Sequence, residues 1–258
     1  MSVHLDEVGA ALVVTLDRPE RRNAIDGETA AGLEAAVEQF ESSEAAVLVL
    51  TGSGGNFCAG ADLTALDTLA PRLADGRAPL GPTHTRPSKP VIAAIDGWCV
   101  AGGLELALWA DIRIASHRAR FGCLERRWGV PLVDGGTYRL PRLIGLGRAL
   151  DLILTGRVVE ADAALAIGLV EYLAPDPLGA ALDLADQLAG FPQPTLRSDL
   201  RSVYDGLGLD EAAALAREAE LGREVLAVGA AGAALFMSGR RQGGAGRGGV
   251  EAADERDT

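Results

Sequence analysis

The chain has 258 residues, 48% of them apolar and 23% charged, with a formal net charge of −12. That is enough apolar material for one substantial core with a small helical appendage, and the acidic balance argues against nucleic acid, because a phosphate-tracking surface needs a basic excess. Three widely spaced cysteines, Cys58, Cys99 and Cys123, suggest neither a disulfide framework nor a zinc site and read as buried thiols.

In chain order, Val3 to Val8 and Ala11 to Leu16 flank Gly9 as a β-hairpin, Gly27 to Phe40 has helical spacing (Ala31, Leu33, Val37, Phe40), and Ala46 to Leu50 reads as a buried strand. Arg18, Arg21 and Arg22 form one local positive cluster and Arg126 with Arg127 another; each could hold an anionic ligand or be a solvated patch. Ala65 to Lys89 is rich in Pro, Gly and Thr and reads as a long loop, either a functional lid or disordered. Val91 to Ile95 leads into a helix at Gly102, and Ile112 to Ala115 leads towards Gly136 and a Leu143 to Leu154 helical region, a recurrence that suggests a right-handed coil of β-β-α units. The longest apolar-rich stretch, Trp98 to Ala110, is too short to span a bilayer and carries Glu105. The N-terminus lacks the regions of a signal peptide, so no membrane partner and a cytoplasmic location are expected. Helices follow from Leu178, including Asp210 to Val228 and Ala230 to Met237, and Gln242 to Thr258 is Gly-rich, then charged. The expected organisation is a core over 1–190, a helical region over 191–240 and a disordered tail over 241–258.

Two stretches, Phe57 to Leu63 and Val100 to Leu106, each run from a strand through small residues into a helical pattern, which leaves backbone N–H groups free to face a ligand. Such a pair can stabilise an oxyanion. Taken singly, Gly60, Gly102 and Gly103 read equally as sites of tight packing or positive φ. Glu105 sits in an otherwise apolar helix, where an unpaired charge is costly to bury, so it is either chemically used or satisfied by hydrogen bonds. Glu125 could join it as a second acid or base, or be drawn by Arg126 and Arg127 into a surface ion-pair cluster. Asp134 could be a third catalytic carboxylate, although an N-terminal cap for the helix near Gly136 is the plainer reading. Gly52 to Phe57 lacks the third glycine of a dinucleotide fingerprint, and His4, His84 and His117 lack metal-ligand spacing. A P-loop lysine and a serine nucleophile elbow are also missing.

Several segments, in order, carry a resemblance over roughly residues 3–240: Arg18-Pro19-x-x-Arg22-Asn23-Ala24, Cys58-Ala59-Gly60-Ala61-Asp62-Leu63, Lys89-Pro90-Val91-Ile92-Ala93-Ala94-Ile95-x-Gly97, Gly102-Gly103-x-Glu105, Leu154-Thr155-Gly156-Arg157 and Gly168-Leu169-Val170. The chain resembles the enoyl-CoA hydratase/isomerase superfamily. The resemblance implies an α/β crotonase (ClpP/crotonase-like) fold, a β-β-α superhelix with a C-terminal helical region. It implies acyl-CoA thioester chemistry: hydration of a 2-enoyl-CoA to a 3-hydroxyacyl-CoA, or else isomerisation or another enolate reaction using one carboxylate, or non-catalytic acyl-CoA binding. It further implies the N–H groups of Ala61 and Gly102 as oxyanion donors, and Glu105 and Glu125 as the proton-transfer pair. Arg21, Arg22 and Ala24 would lie at the adenine and phosphate end, and Ala59, Ala61, Asp62 and Leu63 along the pantetheine. No metal or redox cofactor is implied, CoA being part of the substrate, and the helices of 191–240 would build homotrimers paired into hexamers. The chain departs from the family pattern at Leu124, where a proline is usual, at Arg126-Arg127-Trp128, where apolar residues are usual, and at Asp134, where a small residue is usual.

Overall fold

The computed structural model describes residues 2–238. β1 (Val3–Val8) and β2 (Ala11–Leu16) form the expected antiparallel hairpin, with Val3 opposite Leu16 and Val8 opposite Ala11. α1 (Gly27–Ser42) starts where Asp26 Oδ1 accepts the Thr29 N–H at 2.9 Å, and its buried face carries Ala30, Leu33, Ala36 and Phe40 at helical spacing. β3 (Val47–Gly52) then pairs in parallel with β2. Its first five residues are buried, as parallel strands covered on both faces require.

The segment read as a long loop holds a helix instead, α2 (Leu66–Ala74), with Pro71 inside it. Leu66, Leu69, Ala70 and Leu73 recur at helical spacing, and that apolar stripe outweighs the hydrogen bond lost at Pro71. Arg72 fixes the helix, since its guanidinium pairs with Glu34 of α1 and its Nε donates to the Ala78 carbonyl at 3.2 Å.

Thereafter the chain winds between two sheets. β4 (Val91–Ile95) joins the large sheet, β5 (Trp98–Val100) the small one, and α3 (Gly102–Trp109) follows. β6 (Ile112–Ala115) lies parallel to β4, and β7 (Arg120–Gly122) parallel to β5. After them come α4 (Gly136–Ile144) and α5 (Leu146–Thr155). β8 (Val159–Glu160) pairs with β7, α6 (Ala161–Ala166) follows, and β9 (Tyr172–Leu173) closes beside β6. The sheet orders are β1-β2-β3-β4-β6-β9 and β5-β7-β8, which is the β-β-α winding expected. Cys58, Cys99 and Cys123 are free, buried thiols.

The chain divides into two compact units, Met1–Ala185 and a second from Asp186, the division falling inside α7 (Pro177–Ala189). In the second unit α8 (Gln193–Gly206), α9 (Glu211–Glu224) and α10 (Leu226–Met237) follow. Arg217 of α9 ties Asp205 of α8 to Glu220. The tail expected over 241–258 lies outside the described residues.

Candidate active site

The site turns on Ala101. Its φ of 53° and ψ of −130° are strained for an L-residue, at about 1–3 kcal/mol. The surrounding pairing holds it there: Ala101 N–H donates to the Gly122 carbonyl at 2.8 Å, and Val100 N–H to the Cys58 carbonyl at 3.1 Å. The reversal makes Gly102 the first residue of α3, a position whose N–H has no acceptor within the helix.

Facing it is the extended segment 58–61, bridged to Ile25 at Ala61 and to Cys99 at Cys58. Ile25 N–H donates to the Gly60 carbonyl and Asp62 N–H to the Ile25 carbonyl, both at 2.8 Å. Those two bonds fix the faces of the segment, so the Ala61 N–H between them points to the other side. Gly60 (φ 91°) lies against the start of α3, where a Cβ on it would come within 2.7 Å of the Gly102 nitrogen. Gly103 is fixed by packing, since a Cβ there would stand 2.1 Å from the Cys58 carbonyl oxygen. Gly102 differs: an added Cβ would meet the Leu80 side-chain tip at 2.2 Å, inside the cavity wall. Ala61 and Gly102 both line one cavity of about 590 Å³.

Glu105, one turn into α3, is buried on the same cavity, and its Oε1 accepts the N–H groups of Asp134 (2.9 Å) and Gly136 (2.7 Å). Burial pushes its carboxyl up to about 7 against those two donors, with the charges of Asp134 and Glu125 adding to the rise. Glu125 sits on a single turn of 3-10 helix, Leu124–Trp128, after β7. Its residue is 6% exposed, and both carboxyl oxygens are buried with no hydrogen-bond partner. Burial raises its pKa as well, opposed first by its own backbone N–H and then by the charge of Arg126. The surface ion-pair reading of Glu125 fails. Arg126 donates to the Ile153 carbonyl at 3.4 Å and Arg127 to that of Gly156 at 2.9 Å, so both guanidinium groups are turned onto α5 and its C-terminal end.

Asp134 does not cap α4. The N-cap is Gly135 at φ 103°, with no side-chain cap, and the Asp134 Oδ1 instead accepts the Leu80 N–H (3.1 Å) and the Thr83 hydroxyl (2.6 Å). Burial raises its pKa, opposed mainly by the Thr83 bond.

Of the residues singled out in the sequence, Ala59, Ala61, Leu63, Gly102, Glu105, Glu125 and Asp134 line the cavity. Ala24 and Asp62 are buried beside it, and the Asp62 carboxylate is committed to Thr64 (2.6 Å to the hydroxyl) and to Arg18 (2.9 Å). The Thr64 hydroxyl, chiefly, holds the Asp62 carboxyl below the usual carboxylate range. Arg18 is therefore a structural cation, also paired to Asp26 at 3.1 Å, which leaves Arg21 and Arg22 as the exposed members of the basic cluster. Sequence reasoning missed Leu66, Leu69, Leu73 and Leu80 in the wall, whereas Trp128, singled out there as a departure from the family pattern, is 73% exposed at the rim. The leucine spacing of α2 was the available signal. Among the described residues no group of three or more His, Cys, Asp or Glu side chains could hold a metal ion, and no helix is long and apolar enough to cross a membrane.

A sequence model of the enoyl-CoA hydratase/isomerase family matches residues 7–228. The chain belongs to that family. It is 36% identical over 229 residues to the short-chain-enoyl-CoA hydratase of Clostridium acetobutylicum, covering 85% of this chain and 87% of that relative. To the crotonyl-CoA hydratase of Syntrophomonas wolfei it is 34% identical, covering 85% and 87%. The crystal structure of enoyl-CoA hydratase from Mycobacterium tuberculosis H37Rv superimposes with a TM-score of 0.87 at 33% identity, over 95% of this chain and 99% of that one. That of enoyl-CoA hydratase from Thermoplasma volcanium gives 0.84 at 34% identity, over 92% and 97%. The fold is the crotonase fold of this family.

Proposed function

We infer that this member of the enoyl-CoA hydratase/isomerase family is an enoyl-CoA hydratase, a lyase that adds water across the double bond of a 2-enoyl-CoA. The observation that carries the mechanism is the unlike pair of carboxyls on one cavity. Glu105 is hydrogen-bonded by two backbone N–H groups, whereas Glu125 has no protein partner at either oxygen. Burial raises both carboxyls, Glu105 to about 7 in spite of its two donors, so each can hold or give up a proton near neutral pH, and the two donors fix the orientation of Glu105.

Glu105, oriented by two backbone N–H groups, is assigned as the base, and Glu125, with neither oxygen held by another residue, as the acid. Glu105 takes a proton from water as the hydroxyl oxygen bonds to the β-carbon, and the thioester carbonyl becomes an enolate whose oxygen is met by the Ala61 and Gly102 N–H groups. Glu125 then delivers its proton to the α-carbon, which restores the carbonyl. The two groups have exchanged protonation states, and a proton moved from Glu105 to Glu125 resets the pair. Both titrate inside one cavity, so a pH profile reports the pair and not either residue alone.

The CoA moiety is assigned to the rim at Arg21 and Arg22. Ala59, which lines the cavity, donates its N–H to the Arg22 carbonyl at 3.0 Å, so this exposed basic corner adjoins the thioester site. Assembly into trimers or hexamers is supported by α10, an apolar helix in which Leu226, Phe236 and Met237 are 69%, 84% and 80% exposed.

Turnover of crotonyl-CoA, followed by loss of the conjugated thioester and appearance of the 3-hydroxy product, tests the activity. Binding of a saturated acyl-CoA should weaken as salt screens charge over roughly 8 Å at physiological ionic strength, and weaken further in the variant Arg21→Glu with Arg22→Glu. Absence of any affinity for CoA esters would remove the reading.

A further inference from the structure

Asp134 is the buried charged group of the cavity that hydration does not use. Its position between two walls is specific. Oδ1 takes the Leu80 N–H and the Thr83 hydroxyl from the 66–84 segment, while its own backbone N–H donates to Glu105 Oε1. Its carbonyl accepts Arg139 Nη1 at 2.8 Å, and the second Nη of Arg139 reaches the Thr83 carbonyl. One residue along, His84 Nε2 meets the Val133 carbonyl at 2.9 Å. Leu80, held by the Asp134 carboxylate, is the residue whose side chain fills the space beside Gly102.

We propose that Asp134 is a positioning residue that couples the 66–84 segment to Glu105, so that one side chain sets the cavity wall, the surroundings of the Gly102 donor and the proton-transfer carboxyl together. The role assigned to Glu105 under hydration is assumed here. The coupling has two separable parts. The first is a strap: two hydrogen bonds hold residues 80–83 down at Oδ1, and their loss loosens a segment also fastened through Thr68, Arg72, Arg77, Arg139 and His84. The second is charge: a carboxylate one hydrogen bond from Glu105 opposes ionisation there. The groups facing Asp134 are Glu105 on α3, His84 on the segment and Arg139 on α4. Those facing Glu105 are Asp134, Glu125 and Cys123.

Two variants separate the parts. Asp134→Asn keeps an acceptor oxygen for Leu80 and Thr83 and removes the charge, whereas Asp134→Ala removes both. The Glu105 carboxyl is followed by ¹³C NMR titration, its resonance assigned by its absence in Glu105→Gln, and the strap by limited trypsin cleavage after the exposed Arg77. In Asp134→Asn the Glu105 midpoint should fall but stay above the ordinary glutamate range, because burial, the main cause of its rise, remains, with cleavage unchanged. In Asp134→Ala cleavage should rise about tenfold as local opening becomes easier, and KM for crotonyl-CoA should rise with it. Should Asp134→Ala fail to fold, Thr83→Val removes one strap bond without touching Asp134 and should raise cleavage in the same sense. An unchanged midpoint in Asp134→Asn rejects the charge coupling, and unchanged cleavage in both strap variants rejects the strap. Neither readout needs turnover, so a protein inactive on every enoyl thioester would defeat the hydratase reading and leave this test standing.

Discussion

The two carboxyls stand on unlike ground. Glu105 belongs to α3, where every residue from Gly102 to Trp109 is buried and the helix start is locked by the strained Ala101 and the tight Gly103 to Cys58 contact. Glu125 belongs to a single turn of 3-10 helix, its neighbours Arg126, Arg127 and Trp128 exposed, facing a wall made by α2 and Leu80. The first region is scaffold and fixes a base within hydrogen bonds that cannot be rearranged without disturbing the core. The second is a wall that can change composition at little cost to the fold. In the proposed hydration each region supplies one carboxyl, Glu105 from the first and Glu125 from the second, and the wall beside Glu125 bears on the acyl group admitted.

The largest effect is expected at the scaffold carboxyl. Glu105→Gln should lower crotonyl-CoA hydration by about 10²- to 10⁴-fold, the usual contribution of a general base, in steady-state assays of a variant that folds normally. Next comes the oxyanion donor: Gly102→Val pushes the Leu80 tip aside and fills the space above the N–H, and should cost turnover about 10²-fold. Gly102→Val with normal turnover would remove that assignment. On the wall, Leu73→Ala alters a half-exposed lining residue and should change KM several-fold in a chain-length-dependent way, with Tm shifted by no more than a few degrees. A KM unchanged for every chain length would place the acyl group elsewhere.

The smallest effect is on stability. The Glu105 carboxyl titrates higher in the fold than in the unfolded chain, so the folded state binds the extra proton. Its contribution is present below the ordinary glutamate pKa and is lost as pH rises towards about 7. Wild-type Tm should therefore fall relative to Glu105→Gln between about pH 4.5 and 7, and the difference should level off above that. Parallel Tm curves across that range would show that Glu105 is not held protonated by burial.

How much of this could be read from the sequence follows the same division. β3 and β4 were legible because strands covered on both faces are written as unbroken apolar runs. Glu105 was legible because a carboxylate among Leu104, Leu106 and Ala107 has no cheap explanation. α2 was hidden by Pro71, Gly76 and Pro79, local signals that the leucine stripe and the Arg72 to Glu34 pair override through contacts distant in sequence. Asp134 was misread as a cap because its partner Thr83 lies 51 residues away, while the nearby helix start uses Gly135 instead. The choice for Glu125 between surface and cavity depends on where Arg126 and Arg127 reach, and the Ile153 and Gly156 carbonyls that take them come from a later helix.

Glu125, alone among the buried carboxyls of the described residues in having neither oxygen hydrogen-bonded by another residue, is the group we assign to deliver the proton that completes hydration. The direct measurement is crotonyl-CoA turnover in D₂O by wild type and Glu125→Gln, following both the hydrated product and deuterium at the α-carbon. Glu125→Gln should lose hydration and α-deuteration together, by at least about 10²-fold. Near-normal hydration by that variant, or deuterium exchange continuing without hydrated product, would contradict that assignment and favour an enolate isomerisation that needs one carboxylate.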